Sequence, residues 1–440
     1  MSLLKSLKTK PLHLMTWKLH KMLQTKLKEI AKIFNSQALL GSDIIINGVF
    51  TDTRKKMQGG LFVALMGENF DAHDYIDHAE KMGAVAIIAS KQVKTNLPVI
   101  KVDDTETALS TIATWHLNNI KPTVVAITGS NGKTTTKNML ANILNLKAPT
   151  LKTQGNLNNH LGVPMTLLML EPKHQFAVIE MGANHLGEIK HLRDITHPHI
   201  AVVTNTLDAH IGEFGGFNNL VKAKGEIYHT NSQNIVNTNT TFTGDISFGK
   251  DGDVFASNIN SHQFDLNIKN EKIAVSLQLL GQHNIENSLA ASACAYALDI
   301  DINTIKKGLE KTQAEKGRLT IIHRQGLTII DDTYNASPQS MRAAIDALLS
   351  FDGEKIAVLG SMAELGNDSK TFHQQIGKLT KGSLDTFYTY GELAKDYGGI
   401  HFEDLHKLSM HILTKYSNAT VLVKGSRMVK LDHLVQLLQK

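Results

Sequence analysis

The chain has 440 residues, enough for two to four domains at roughly 100–200 residues each. Its 42% hydrophobic and 20% charged content exclude global disorder, and its net charge of +5 suits anionic nucleotides. The lysines form no basic stripe interleaved with aromatics, which excludes a nucleic-acid reader. The single cysteine, Cys294, excludes an intramolecular disulfide and a cysteine-based zinc site.

Residues 1–22 are basic but lack the continuous apolar core and small-residue cleavage site of a secretory signal. They read as a basic N-terminal extension, with Met15 and Met22 as alternative starts. No run approaches the about 18 consecutive apolar residues of a membrane span. A cytoplasmic monomer with no transmembrane segment and no nucleic-acid partner is therefore expected.

A first domain is expected over residues 23–118. An amphipathic helix at 25–34 leads to strand-like runs at 44–46 and 61–65, a helix at 72–82 and a strand at 84–89. A helix at 105–118 bridges to the next domain. The central domain, 119–313, opens with the apolar run TVVAI at 123–127, then a glycine-rich turn and a long helix. Further apolar runs at 176–179 and 200–203 alternate with helical segments, the pattern of a mostly parallel sheet wrapped by helices. Residues 235–280 alternate in polarity and read as a β excursion. Cys294 falls in an alanine-rich helical stretch at 288–298, as a small core residue. The last domain, 314–440, repeats the α/β pattern, with strands at 327–330, 355–359, 386–390 and 420–423.

The sequence ITGSNGKTT at 127–135 carries the sharpest chemistry. It follows a buried strand and opens a helix, the context a phosphate-binding P-loop requires. Gly129, Ser130, Asn131 and Gly132 supply backbone N–H groups to phosphate oxygens, and the helix N-terminus adds partial positive charge. Lys133 reaches the β/γ-phosphates, Thr134 offers its hydroxyl to Mg²⁺, and Thr135 continues the turn. The loop departs from the common eight-residue form, because Ile127 stands where the first glycine is usual.

In open parallel α/β sheets, ligands bind outside the carboxyl ends of the strands. The run FAVI ends in Glu180, and IAVV ends in Thr204-Asn205 with His210 shortly beyond. A carboxylate and an imidazole at neighbouring strand ends point to a second divalent ion. Lys224, in AKGEIY, reads by itself as a solvated helix lysine.

Taken together, these motifs resemble the Mur ligases, ATP-dependent amide-bond-forming enzymes of peptidoglycan synthesis, over about residues 45–430. The shared marks are the P-loop, AVIEMGAN, the His210 region, AKGEIY, GQHNIEN, Gly317-Arg318 and the Asp331-Asp332 strand end. Other segments look like the member that adds D-alanyl-D-alanine. They are DTRKKMQGGLFVALMGENFDAHDYI at 52–76, TQGNLNNHLGVPMTLL at 153–168, MGANHLGEI, DDTYNASPQSM and LGSMAELG. The D-N-P-R motif of the enzyme adding the third residue is absent.

The resemblance implies an α/β fold of three domains: a small N-terminal α/β UDP-binding domain, a central P-loop ATPase-like sheet and a C-terminal Rossmann-like α/β domain. It implies ATP and two Mg²⁺ ions. Lys133 and Thr134 would hold the phosphates and metal, and Glu180 and His210 would help bind the second ion. Lys224 matches a lysine that becomes carbamylated. Asn284 and Asn287 match adenine contacts, Arg318 an arginine reaching the γ-phosphate, and Asp332 a ribose contact. Thr53, Arg54, Asn69 and His73 would hold the uridine nucleotide of UDP-N-acetylmuramoyl-tripeptide. Asn156, Asn158 and Asn159 would line its muropeptide, and Tyr334 and Asn335 would contact the incoming dipeptide. Hinge motion is expected near residues 313–318. Two other readings stay open: an amide ligase of the same fold with a different amino substrate, such as glutamate added to folate, and a P-loop ATPase with no ligation.

Overall fold

Strands buried on both faces are continuously apolar, because helices cover both sides of a parallel sheet. Thr123–Thr128, Phe176–Glu180 and Ile200–Val203 are such strands, with interiors entirely withdrawn from solvent. The computed structural model describes residues 23–39, 42–207, 211–324, 326–384 and 386–440. The basic extension expected over residues 1–22 lies outside them.

The chain divides into two compact units, residues up to 112 with 168–171, and residues 113–167 with 172–440. The first unit contains a four-stranded parallel sheet in the order Val49–Phe50, Gly60–Val63, Ala84–Ala89, Val99–Lys101. Its first helix, Leu27–Ile33, starts later than its apolar periodicity predicts, because Thr25–Lys26 pairs antiparallel with Ile45–Ile46. The helix expected at 72–82 is a 3₁₀ turn, Ala72–Tyr75, followed by the α-helix Ile76–Lys81.

The second unit contains two larger sheets. One has nine strands, in the order Thr150–Lys152, Phe176–Glu180, Thr123–Thr128, Ile200–Val203, Gln233–Asn237, Ile246–Phe248, Val254–Asn260, Gln263–Ile268, Glu271–Ser276. The first seven run parallel, and the last two add antiparallel through turns in which Ser261 and Lys269 have positive φ. This is the β excursion expected over 235–280. The other sheet has six strands, in the order Thr320–Arg324, Leu327–Asp332, Ala419–Lys424, Glu354–Gly360, Phe387–Tyr390, Ile400–Phe402. Only its first pair is antiparallel. Thr320–Arg324 has no continuous apolar run because it is an edge strand, half open to water.

The helix Lys133–Leu144 packs on the nine-stranded sheet and against the helices Gln282–Tyr296 and Ile302–Glu310. Met139, Leu140, Ile143 and Leu144 join Val125, Ile127, Ile285 and Ile305 in one apolar core, and Cys294 is buried in it. No helix among the described residues is long and apolar enough to cross a membrane.

Gly308 is where the Ile302–Glu310 helix meets the P-loop helix. A Cβ there would lie 2.5 Å from the Ile143 Cα and 2.7 Å from its backbone nitrogen, atoms that cannot move aside. Alanine gains about 1 kcal/mol of helix propensity over glycine. Forcing two backbones apart costs about 1–3 kcal/mol or more, so the steric term wins. Gly308→Ala is expected to lower the urea unfolding midpoint; an unchanged or raised midpoint would show that the helices separate freely.

Candidate active site

Backbone geometry builds the phosphate loop. Gly132 caps the Lys133–Leu144 helix at φ 80°, and a Cβ there would strike the Asn287 side-chain oxygen. A Cβ on Gly129, at φ 146°, would lie equally close to the Thr204 hydroxyl. The chain beyond Ile200–Val203 holds the loop from behind. Asn205 accepts from Ser130 N–H at 3.0 Å through its backbone oxygen and from Asn131 N–H at 2.9 Å through its side chain. Thr204 Oγ1 donates to Asn131 O at 2.6 Å, and Ser130 Oγ donates to Leu207 O at 2.9 Å. Gly132, Lys133, Thr134 and Thr135 then present N–H groups with no acceptor among the described residues. Four orphan donors at the positive end of a helix dipole make a phosphate site. The Lys133 ammonium folds back onto Gly129 O at 2.6 Å and Ser130 O at 3.1 Å. Burial lowers its pKa, although the charge of Glu180 opposes the shift.

Glu180 ends the strand beside the P-loop strand and is only 3% exposed. Its Oε1 accepts from Asn158 Nδ2 at 2.8 Å. Lys137, one turn into the P-loop helix and 1% exposed, has its ammonium 3.4 Å from Glu180 Oε2. That pair is electrostatic only, and Oε2 has no hydrogen-bond donor. Burial pushes the Glu180 pKa up, but Lys137 and Lys133 outweigh it and hold the carboxylate below its ordinary range.

Lys224 corrects its sequence reading as a solvated lysine: it is 3% exposed, in the last turn of the helix Phe217–Gly225. Its ammonium lies 5.2 Å from the Phe214 ring centre. Burial, helped by the charge of Lys133, lowers its pKa to about 7. His210 lies outside the described residues.

The segment after the central sheet returns to the same helix. Arg318 Nη2 donates to Thr134 Oγ1 at 3.0 Å, while its Nε is buried without a partner. The Arg318 guanidinium carbon lies 4.0 Å from the Tyr334 ring centre. Asn138 Nδ2 donates to Glu315 Oε1 at 2.6 Å, tying the expected hinge segment to the helix. Asp332 accepts from Lys424 Nζ at 2.6 Å and from Leu319 N–H at 3.2 Å. Asn335 is exposed, and its carbonyl accepts from Lys424 at 2.9 Å. Asn284 and Asn287 are buried together, Asn287 Nδ2 donating to Asn284 Oδ1 at 3.1 Å.

Of the three asparagines expected along the muropeptide, Asn158 bonds Glu180, Asn159 accepts from Gly162 N–H at 2.8 Å, and Asn156 is exposed. In the first unit, Thr53 is half-buried and the exposed Arg54 forks onto Asp52 through two 2.8 Å bonds. Asn69 sits exposed at the tip of the hairpin Met66–Gly67/Phe70–Asp71. His73 has both ring nitrogens engaged, one by the Asp71 carboxylate and the other by Ser90 N–H at 3.0 Å.

Sequence reasoning missed Lys137 and Lys424. The first lies four residues beyond the P-loop lysine, hence on the same helix face. The second ends an apolar strand, the signal that marked Glu180.

The sequence matches three family descriptions in order: "Mur ligase family, catalytic domain" over residues 45–116, "Mur ligase middle domain" over 127–295, and "Mur ligase, glutamate ligase domain" over 317–427. The UDP-N-acetylmuramoyl-tripeptide--D-alanyl-D-alanine ligase of Escherichia coli K12 is 38% identical over 450 aligned positions, covering 95% of this chain and 99% of that protein. A crystal structure of MurF from Acinetobacter baumannii superposes with a TM-score of 0.90 at 36% identity, covering 95% of this chain and 99% of that one. MurF from Thermotoga maritima in complex with ADP superposes at 0.81 with 30% identity, covering 89% and 97%.

Removing Lys137 leaves the Glu180 carboxylate buried with its nearest counter-charge gone. Breaking a buried ion pair from one side costs about 3–5 kcal/mol. Lys137→Met is expected to destabilise by that order in chemical denaturation, and adding Glu180→Gln should recover part of the loss. Equal costs in both backgrounds would show that the two charges do not interact.

Proposed function

The chain belongs to the Mur ligase family, and from that membership we propose that its site joins D-alanyl-D-alanine to UDP-N-acetylmuramoyl-tripeptide in peptidoglycan synthesis, converting ATP to ADP and phosphate. The observation that carries this reading is the convergence of Lys133, Thr134 and Arg318 at one helix N-terminus, with Glu180 at the adjacent strand end.

A carboxylate resists amines because it is anionic and lacks a leaving group. Phosphorylation removes both obstacles. The terminal carboxylate of the tripeptide attacks the γ-phosphorus, an O–P bond forms, the bond to ADP breaks, and an acyl phosphate results. Lys133 exchanges its two loop carbonyls for phosphate oxygens, joined by the four open N–H groups. Arg318, leaning from Thr134, neutralises charge on the transferring group. The free amine of the dipeptide then attacks the acyl carbonyl. A C–N bond forms, phosphate leaves, and the amine gives up a proton. Holding the reactants in line is worth roughly 7–11 kcal/mol of barrier. Asn284 and Asn287 lie on the adenine side and Asp332 on the ribose side. Tyr334 and Asn335 face the dipeptide. Thr53, Arg54, Asn69 and the His73 loop serve the uridine nucleotide, and Asn156, Asn158 and Asn159 the muropeptide. The enzyme acts in the cytoplasm as a monomer.

Mg²⁺ fits this donor set. Hard cations take oxygen ligands, and the site offers the Thr134 hydroxyl and the ionised Glu180 carboxylate, whose Oε2 is buried without a donor. Thr134, Glu180, a carbamylated Lys224 and His210 would hold the ions, which supply charge neutralisation to the phosphates. Carbamylation fits the burial of Lys224. An amine held near neutrality is nucleophilic toward CO₂, forms the carbamate and releases a proton. The Lys133 charge that disfavours the ammonium favours that anion.

Release of ADP and phosphate from ATP is expected only when tripeptide nucleotide and D-alanyl-D-alanine are both present, with a pentapeptide product by mass. Turnover with glutamate or a single amino acid instead would discard the substrate assignment and keep the acyl-phosphate chemistry; hydrolysis indifferent to either substrate would discard ligation. Stripping CO₂ and bicarbonate from the buffer is expected to lower the rate, and added bicarbonate to restore it. A rate insensitive to both would count against the Lys224 carbamate.

A further inference from the structure

Two guanidinium groups gather at one aromatic ring. Arg318 lies 4.0 Å from the Tyr334 ring centre and Arg427 lies 5.5 Å from it. Their situations differ. Arg318 is committed to Thr134 on the nucleotide side. Arg427 is exposed, and its guanidinium makes no ion pair or hydrogen bond with any described residue. The third cation nearby, Lys424, is neutralised by Asp332. Arg427 is thus the one of these three whose polar hydrogens are all uncommitted.

The backbone that presents Arg427 is fixed. It lies just past the carboxyl end of Ala419–Lys424, which runs parallel to Leu327–Asp332, the strand leading to Tyr334. Ser426 N–H donates to Ser361 O at 3.0 Å, and Val429 N–H closes a turn onto Ser426 O at 3.0 Å. A Cβ on Gly425 would stand 3.0 Å from the Gly360 Cα, so two neighbouring strands touch there through glycine. A rigid turn at adjacent parallel strand ends is where such sheets place ligand contacts. Tyr334 supports the guanidinium by cation–π attraction, which leaves its N–H fork free.

The amino substrate carries two charged ends, and only its amine reacts. Its carboxylate must be recognised by something other than the groups that handle phosphate. A planar guanidinium matches a carboxylate through two parallel N–H···O bonds. We propose that Arg427 binds the C-terminal carboxylate of the incoming dipeptide, while Arg318 serves the phosphate chemistry. This rests on the ligase reading above.

The test compares D-alanyl-D-alanine with its C-terminal amide, in the wild-type enzyme and in Arg427→Ala and Arg427→Lys, with KM for ATP and for the tripeptide nucleotide measured alongside. A hydrogen-bonded charge pair corresponds to about 10- to 100-fold in kcat/KM. Wild type is expected to prefer the free carboxylate by that factor. Arg427→Ala should bring the preference close to unity by raising KM for the dipeptide alone, and Arg427→Lys should keep part of it. Arg427 is exposed, so an unchanged melting temperature separates lost recognition from lost folding. A wild-type enzyme indifferent to amidation, or an Arg427→Ala enzyme keeping the full preference, overturns the inference and leaves the ligase reading standing. Absence of any dipeptide-dependent ligation by wild type overturns both.

Discussion

The helix Lys133–Leu144 is the member on which the site depends. Its first turn leaves N–H groups open, as every helix N-terminus must. Its flank is then used almost residue by residue. Gly132 takes the Asn287 side chain, Thr134 the Arg318 guanidinium and Lys137 the Glu180 carboxylate. Asn138 takes Glu315, Asn142 takes Thr312, and Ile143 meets Gly308. Groups up to 184 positions apart in sequence are therefore referred to one rigid axis. Catalysis by positioning needs such an axis, because the reacting atoms must meet in line.

The second constraint is buried charge. Among the described residues three lysines are buried, Lys137, Lys224 and Lys424, and all belong to the second unit. Desolvating an ammonium is costly unless it is paired or neutral. The three lysines meet that cost differently. Lys424 pairs closely with Asp332, Lys137 shares an ion pair with Glu180 without a hydrogen bond, and Lys224 moves toward the neutral amine. Such an environment adds little to stability. It keeps a carboxylate ionised and an amine nucleophilic within the field of one P-loop lysine, and it spares Arg427, at the water edge, for an anion from outside.

Much of this was legible in the chain. TVVAI, FAVI and IAVV announced parallel strands because their residues are apolar on both faces, and the glycines, lysine and threonines between strand and helix announced a phosphate loop. Glu180 was readable because a charged residue closing an apolar strand must emerge at the sheet's carboxyl edge. Cys294 was readable as core because it lies among alanines in a helix. Asn284, Asn287, Arg318 and Asp332 drew attention through family resemblance, since a lone asparagine or arginine carries no local signal.

Other features had little local signal. Lys224 looks solvated in AKGEIY, because a short helix does not declare which of its faces the fold will cover. Lys137 looks like any helix lysine until Glu180, 43 residues later, arrives beside it. The edge strand Thr320–Arg324 is masked by its own exposure, and the meeting of Arg318 and Arg427 at the Tyr334 ring needs two parallel strands to bring their ends together. The sequence by itself determined the periodicities, the phosphate loop and the strand ends, because these depend on neighbours a few residues away. The tertiary structure decided which charges are buried, which are paired and which remain open, because desolvation and Coulomb energies depend on distances that only the assembled fold sets.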